Sequence, residues 1–211
     1  MSEIGLNPFY YLTASSIAFN TFLAKYGGEW MLNTGQFIFQ LPIEIDNEIR
    51  KSYFGGRTEA FIPHLEKGYQ YDINSSYPAG MTKDLPVGRP AKMVFTKDIQ
   101  WDLSYFGFFE VEVIHTPDLK IPFLSCKVPN KIGGYKLVFP KGCFKGIYFS
   151  EEINYAISLA YKIRPLGYVF ERGNPLTSYV NEIYSRKANT KDPILRELYK
   201  TLLNTPYGRF G

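Results

Sequence analysis

The residues best suited to chemistry in this chain are one aspartate and a set of polar side chains at helical spacing. Asp72 lies near the end of the short apolar segment Gly68 to Ile73 and is followed by Asn74, Ser75, Ser76, Tyr77 and Pro78. A carboxylate placed there could serve chemistry, although an aspartate before a proline turn also serves as a plain turn or cap residue. Further along, Arg196, Lys200, Asn204 and Tyr207 are spaced so that, at about 100° per residue, they share a helix face roughly 80° wide. Arg196 and Lys200 are like charges at i, i+4, which costs about 0.2–0.5 kcal/mol unless an anion lies between them. A phosphate-bearing ligand would remove that cost; a solvated basic face is the alternative on helix geometry alone. A zinc site lacks ligands, because Cys126 and Cys143 form no C-x-x-C pair and the chain has only His64 and His115.

These groups need elements to hold them. Tyr69 to Ile73 reads as a short strand ended by a turn at Pro78, which would set Asp72 at a strand's end. Pro86 to Pro90 reads as a turn-rich break, and the run from Phe106 to Ile114, with Glu110 and Glu112, as a half-buried strand. From Lys120 to Phe149, prolines and glycines punctuate short apolar runs, so short strands and turns are expected. A helix should start at a Ser150 cap with Glu151 and Glu152 in its first turn and end near Tyr161. Asn174-Pro175 and Asp192-Pro193 start two more, with stripes Leu176, Tyr179, Val180, Ile183, Tyr184 and Leu195, Leu198, Tyr199, Leu202, Leu203. Joined only by Arg186 to Lys191, the two should lie antiparallel, with the polar set opposite the leucines. The first fifty residues mix short apolar segments with Gly27, Gly28 and Gly35 in no clear period.

A chain of 211 residues that is 45% hydrophobic and 21% charged can bury a core, and no apolar run approaches the roughly 20 residues that cross a bilayer. The first residues carry neither a secretory nor an import pattern, so synthesis in the compartment of use is expected. A net charge of +4 permits an anionic partner without demanding one. Seventeen Tyr and seventeen Phe fit aromatic packing, base stacking or AT-rich coding alike.

Three short patterns, in a restrictive order, give the chain a family resemblance. Asp72-Ile73-Asn74-Ser75-Ser76-Tyr77-Pro78 resembles the D-x-x-S-L-Y-P motif A of family B DNA polymerases. Lys200 to Asn204-Thr205-Pro206-Tyr207-Gly208 resembles their K-x-x-x-N-S-x-Y-G motif B, and Tyr53-Phe54-Gly55-Gly56 their Y-x-G-G/A element. The likeness runs from about Ile49 to Gly211 and is nearest to the protein-primed organellar and viral branch, including polymerases of linear mitochondrial plasmids.

The resemblance implies an α+β chain: a partial polymerase palm, a two-helix fingers element and a β-rich insertion. It divides into 1–48, the end of a region preceding the palm; 49–94, palm with Y-x-G-G and motif A; 95–149, palm continuation and a candidate insertion contacting a terminal protein; 150–173, palm helix and connection; and 174–211, fingers helices with motif B. The implied reaction is DNA-directed deoxynucleotidyl transfer with Mg²⁺ or Mn²⁺. Asp72 would be the catalytic carboxylate and, with the Ile73 carbonyl, a metal ligand. Ile73, Ser76, Tyr77, Arg196, Lys200, Asn204 and Tyr207 would bind the nucleotide, Tyr77 by clashing with a ribose 2′-hydroxyl and Lys200 as a point charge for the triphosphate. Arg186 and Lys187 would either close over it or form a solvated helix end. Tyr53, Gly55, Gly56, Ser75, Thr205 and Gly208 would contact DNA. The implied partners are primer-template DNA, deoxynucleoside triphosphates and a terminal protein, with no membrane; Lys120, Lys127, Lys131, Lys136, Lys141 and Lys145 would form a basic face. The implied setting is a mitochondrion, with phage- or virus-infected cytoplasm as the alternative.

Ser76 stands where the family has leucine and Thr205 where it has serine. No Y-x-D-T-D-S motif C, K-x-Y motif or proofreading aspartates occur, so the chain resembles a central fragment, expected to bind nucleotide and DNA without synthesis by itself. The alternatives are a non-catalytic nucleic-acid-binding remnant and another palm-type polymerase, against which motif B argues.

Overall fold

The computed structural model describes residues 13–93 and 101–210. The first twelve residues of the 1–48 segment, the start of the candidate insertion at 95–100 and Gly211 lie outside the described residues. In chain order the elements are α1 (Ala14–Phe22), a π-helical turn (Leu23–Gly27), α2 (Gly28–Thr34), α3 (Ile43–Ile49), a 3₁₀ turn (Arg50–Ser52), α4 (Ser76–Met81), β1 (Leu85–Met93), β2 (Gly107–His115), β3 (Cys126–Pro129), β4 (Tyr135–Val138), β5 (Phe144–Phe149), α5 (Ser150–Ser158), β6 (Lys162–Gly173), α6 (Thr177–Asn189), α7 (Pro193–Asn204) and α8 (Tyr207–Phe210). The α+β class is as expected. The chain forms two compact units, one from residues up to Ile38, Gly56–Leu85 and Arg172 onward, the other from Phe39–Gly55 and Pro86–Glu171.

The first unit is helical. Asp192 caps α7 by accepting from the backbone N–H of Ile194 and Leu195 at 2.8 and 3.4 Å, and Pro193 occupies the first helical position, where no N–H is needed. Tyr179, Val180 and Ile183 of α6 pack with Leu202 and Leu203 of α7 and with Ala18, Phe22 and Tyr26. The Tyr179 hydroxyl donates to the Leu202 carbonyl at 2.7 Å, which joins the start of α6 to the end of α7 and makes the pair antiparallel. Burial pushes the Tyr179 hydroxyl's pKa up, so it remains a donor. The leucine stripe is shorter than expected: Leu195 is exposed, and the core begins at Leu198.

The second unit is built on a four-stranded sheet in the order β1-β6-β2-β5, with β2 antiparallel to both β5 and β6, and a separate β3-β4 hairpin. β2 alternates strictly. Phe109, Val111 and Val113 are wholly buried against Leu124, Tyr148, Ile153, Ala156 and Tyr161, while Phe108 and Glu110 face the other side. Each fully buried apolar side chain contributes about 1.5–3 kcal/mol.

Four local expectations are corrected. Tyr69 to Ile73 is no strand; its Tyr69, Tyr71 and Ile73 side chains are exposed, and no described segment offers the ladder that a strand requires. Pro86 to Pro90 is not a break but part of β1, an edge strand where missing N–H groups are tolerated and Gly88 takes a positive φ of 74°. Ser150 does not cap α5. Its buried hydroxyl accepts from the Gly107 N–H at 3.2 Å, and the Glu152 carboxylate accepts from the Phe149 N–H at 3.1 Å instead. The helix also stops short of Tyr161, because Ala160 turns left-handed at φ 68° and the Tyr161 N–H reaches back to the Ala156 carbonyl.

Candidate functional site

Asp72 and Ile73 run in irregular backbone into a turn at Asn74 and Ser75 that opens α4. Ser75 is left-handed, at φ 54° and ψ 41°, a conformation that costs a residue with a Cβ about 1–2 kcal/mol. Pro78 lies in the first helical turn, where its missing N–H costs no intrahelical bond, and is buried with Met81. That anchor leaves Tyr77 60% exposed. Its ring stacks on Tyr207 of α8, with centroids 4.3 Å and planes 2° apart.

The same turn forms one wall of a cleft of about 540 Å³ in the first unit. Asp72, Ile73, Asn74, Ser75, Ser76 and Tyr77 line it, facing Tyr184, Lys187 and Ala188 of α6 and Arg196, Lys200 and Asn204 of α7. The helices can do this because their cores use other faces: Tyr179, Val180 and Ile183 on α6, Leu202 and Leu203 on α7. Lys187 Nζ lies 3.4 Å from Ser75 Oγ and 5.5 Å from the centre of the Tyr184 ring. Lys200 Nζ lies 3.3 Å from the Glu197 carboxylate, so part of the like-charge cost is met by an acid on the same helix. That pair is exposed and weak, and Lys200 can leave it for a stronger anion.

The structure thus brings together Asp72, Ile73, Ser75, Ser76, Tyr77, Arg196, Lys200 and Asn204, with Tyr207 joined through its ring stack. Thr205 turns inward, its hydroxyl donating to the Thr201 carbonyl at 2.9 Å, and Gly208 lies within α8. Arg186 pairs with Glu182 at 2.8 Å and is not among the lining residues, unlike Lys187. Tyr184 read in the sequence as part of the apolar stripe, but it is 48% exposed at the cleft. Its place at the stripe's end was the available signal.

Asp72 is the one carboxylate among the described lining residues and makes no hydrogen bond or ion pair with the described residues. Among the described residues no three His, Cys, Asp or Glu side chains cluster as a metal site. Asp72 thus offers this cleft one carboxylate, an oxygen donor of the type that hard divalent cations take.

A second cleft, about 580 Å³, lies wholly in the second unit on the face of β2 opposite its core. Lys51, Phe54, Lys92, Glu110, Lys127 and Lys145 are among its lining residues. Lys127 Nζ donates to the Tyr53 carbonyl at 2.7 Å, tying β3 to the Y-x-G-G segment. Tyr53 and Gly55 belong to this unit and Gly56 to the other. Of the expected basic face, Lys141 is paired with Asp118 at 2.7 Å.

A family model described as DNA polymerase type B, organellar and viral, matches residues 1–211. A probable DNA polymerase of Ascobolus immersus is 37% identical over 171 residues, covering 77% of this chain and 14% of the relative. One of Neurospora intermedia is 34% identical over 210 residues, covering 95% and 21%. The DNA polymerase of Bacillus phage Nf is 26% identical over 189 residues, covering 82% and 32%. The chain therefore spans a third or less of the length of these relatives. Phi29 DNA polymerase complexed with primer-template DNA and incoming nucleotide substrates shares the fold, with a TM-score of 0.66 and 22% identity over 95% of this chain and 36% of that one. No described helix is long and apolar enough to cross a membrane.

Proposed function

The chain belongs to the organellar and viral type B DNA polymerases, and on that premise we propose that it supplies the nucleotide-binding side and one metal carboxylate of a deoxynucleotidyl transfer site. The observation that carries this is the single cleft in which Asp72, Tyr77, Lys187, Arg196, Lys200 and Asn204 meet from distant parts of the sequence. Lys187, Arg196 and Lys200 are the cations there, suited to a triphosphate. Asp72 and the Ile73 carbonyl would hold Mg²⁺ or Mn²⁺, which when bound neutralises phosphate charge and lowers the pKa of the primer hydroxyl.

Tyr77 stacks on Tyr207, and that contact would limit the ring's freedom to swing from an added hydroxyl. We assign it to sugar discrimination. In a complete polymerase carrying this chain, Tyr77→Val is expected to lower the preference for deoxy- over ribonucleotides about 10- to 100-fold. Single-nucleotide incorporation with both sugars measures it, and an unchanged ratio would remove the assignment.

Lys51, Phe54, Lys92, Lys127 and Lys145 make the second cleft the place for a DNA phosphate backbone beside the Y-x-G-G segment. The organellar and viral family, with relatives in fungi and Bacillus phages, supports work in an organelle or a phage-infected cell; a mitochondrion, protein priming and a terminal protein as partner are part of the proposal. With one carboxylate in its cleft, the isolated chain would bind without measurable synthesis.

The reading is tested by titrating Mg²⁺ and a deoxynucleoside triphosphate into the chain at low salt. Lys200→Ala is expected to weaken binding about tenfold or more, the range of a charge-assisted contact. Binding by the wild type that survives the substitution would move the triphosphate elsewhere, and no binding in either would favour the non-catalytic remnant.

A further inference from the structure

Between α1 and α2 the helix passes through a π-helical turn, Leu23–Gly27. Such turns are rare and often mark functional positions, so what this one presents is informative. It directs Lys25 and Tyr26 at α6. Lys25 Nζ lies 2.9 Å from Glu182 Oε1 and 5.1 Å over the Tyr26 ring. Arg186, one turn further on, is a second partner of the same carboxylate at 2.8 Å, and the nearby Tyr26 hydroxyl favours its charged form. Lys25, then Tyr26 and Arg186, hold the Glu182 carboxyl below the usual carboxylate range, against partial burial.

The contacts continue beyond the carboxylate. Tyr26 is 7% exposed and meets the Tyr179 ring edge-on at 5.5 Å. Tyr179 in turn donates to the Leu202 carbonyl, two residues before Asn204. A lone exposed ion pair contributes little, but Glu182 is only a third exposed and pairs with two cations from two elements. Its neighbours along α6, Tyr184 and Lys187, line the cleft.

We infer that Glu182 is a positioning residue for the nucleotide: held by Lys25, Tyr26 and Arg186, it fixes α6 about its axis and so sets the reach of Lys187, and through Tyr179 steadies the end of α7. This rests on the reading of the cleft as a triphosphate site. Neither motif A nor motif B contains Glu182, Lys25 or Tyr26.

The experiment is calorimetric titration of Mg²⁺ and a deoxynucleoside triphosphate into wild type, Glu182→Leu and Lys200→Ala, with amide hydrogen exchange followed in each. Glu182→Leu keeps a good helix former and removes every acceptor. It is expected to weaken binding about three- to tenfold, as misplaced groups do, and to speed exchange in α6 while α5 stays unchanged. Lys200→Ala should weaken binding with exchange in α6 unchanged. Wild-type affinity in Glu182→Leu, or wild-type exchange in its α6, overturns the inference. A wild type that fails to bind overturns the triphosphate reading itself, and the exchange data then decide alone whether Glu182 holds α6.

Discussion

Replacing Asp72 with alanine in a complete polymerase carrying this chain is expected to lower nucleotide incorporation about 10³-fold or more while leaving the fold intact. The two halves of that expectation have separate physical grounds. Asp72 is exposed and has no hydrogen-bond or ion-pair partner among the described residues, so its loss removes no contact the fold uses. Among the described lining residues of the cleft it is the one carboxylate, with Lys187, Arg196 and Lys200 as the cations. Without it the cations would still hold a triphosphate, but no other described lining residue supplies the anionic oxygen that would hold a cation against the reacting phosphate. The expected signature is therefore a fall in the rate of incorporation at saturating nucleotide, with nucleotide binding changed far less. Primer extension and nucleotide titration separate the two. Incorporation within tenfold of wild type would remove Asp72 from the chemistry, and a lost circular dichroism signal would make it a structural residue instead.

Why Asp72 could be found from sequence, and its surroundings only in part, follows from the kinds of signal involved. Motifs A and B are contiguous strings, and the helix carrying motif B announces itself locally: Asp192 and Pro193 do at the start of α7 what their types require, whereas α6 starts at Thr177, past Asn174-Pro175 and without a side-chain cap. Local chemistry failed where tertiary partners decide. Tyr69 to Ile73 has strand-forming residues and no ladder, whereas β6 contains Pro165 and Gly167, residue types that weaken a strand by themselves, and is nonetheless flanked by β1 and β2. The first helices were obscured because α2 and α3 bury no side chain, so no apolar stripe marks them. Lys145 meets Glu110 in one cleft because register sets Lys145 opposite Glu112 and Ile147 opposite Glu110. Lys51, Phe54 and Lys92 come to it from the 3₁₀ turn, the residues after it and β1, separations that no local pattern shows.

Gly167→Ala and Gly107→Ala are expected to unfold much of the second unit, each costing about 3–5 kcal/mol, overpacking and backbone strain combined. A Cβ on Gly167 would land on the Phe108 carbonyl oxygen and the Phe109 Cα; one on Gly107 would land on the Tyr168 carbonyl oxygen. These obstacles are backbone atoms and cannot rotate away. Nor can β2 shift as a whole, since β5 and β6 bind it on both sides and its Phe109, Val111 and Val113 are wholly buried. At Gly107 the N–H also donates to the buried Ser150 hydroxyl, so movement there would leave that pair unmade. Gly133→Ala is the control. Its φ of 96° is strained for alanine, but no atom lies within 4 Å of the added methyl, so only the conformational cost of about 1–2 kcal/mol applies. Hydrogen-exchange protection in β2 and α5, with the denaturant midpoint, should therefore fall steeply for Gly107 and Gly167 and mildly for Gly133. Equal shifts at all three would show that backbone crowding is not the cause. The functional consequence follows from the alternation of β2: Phe108 and Glu110 on its other face, with Gly167 itself, line the lysine-rich cleft. A protein unfolded by either substitution should lose DNA affinity, whereas Gly133→Ala should retain it.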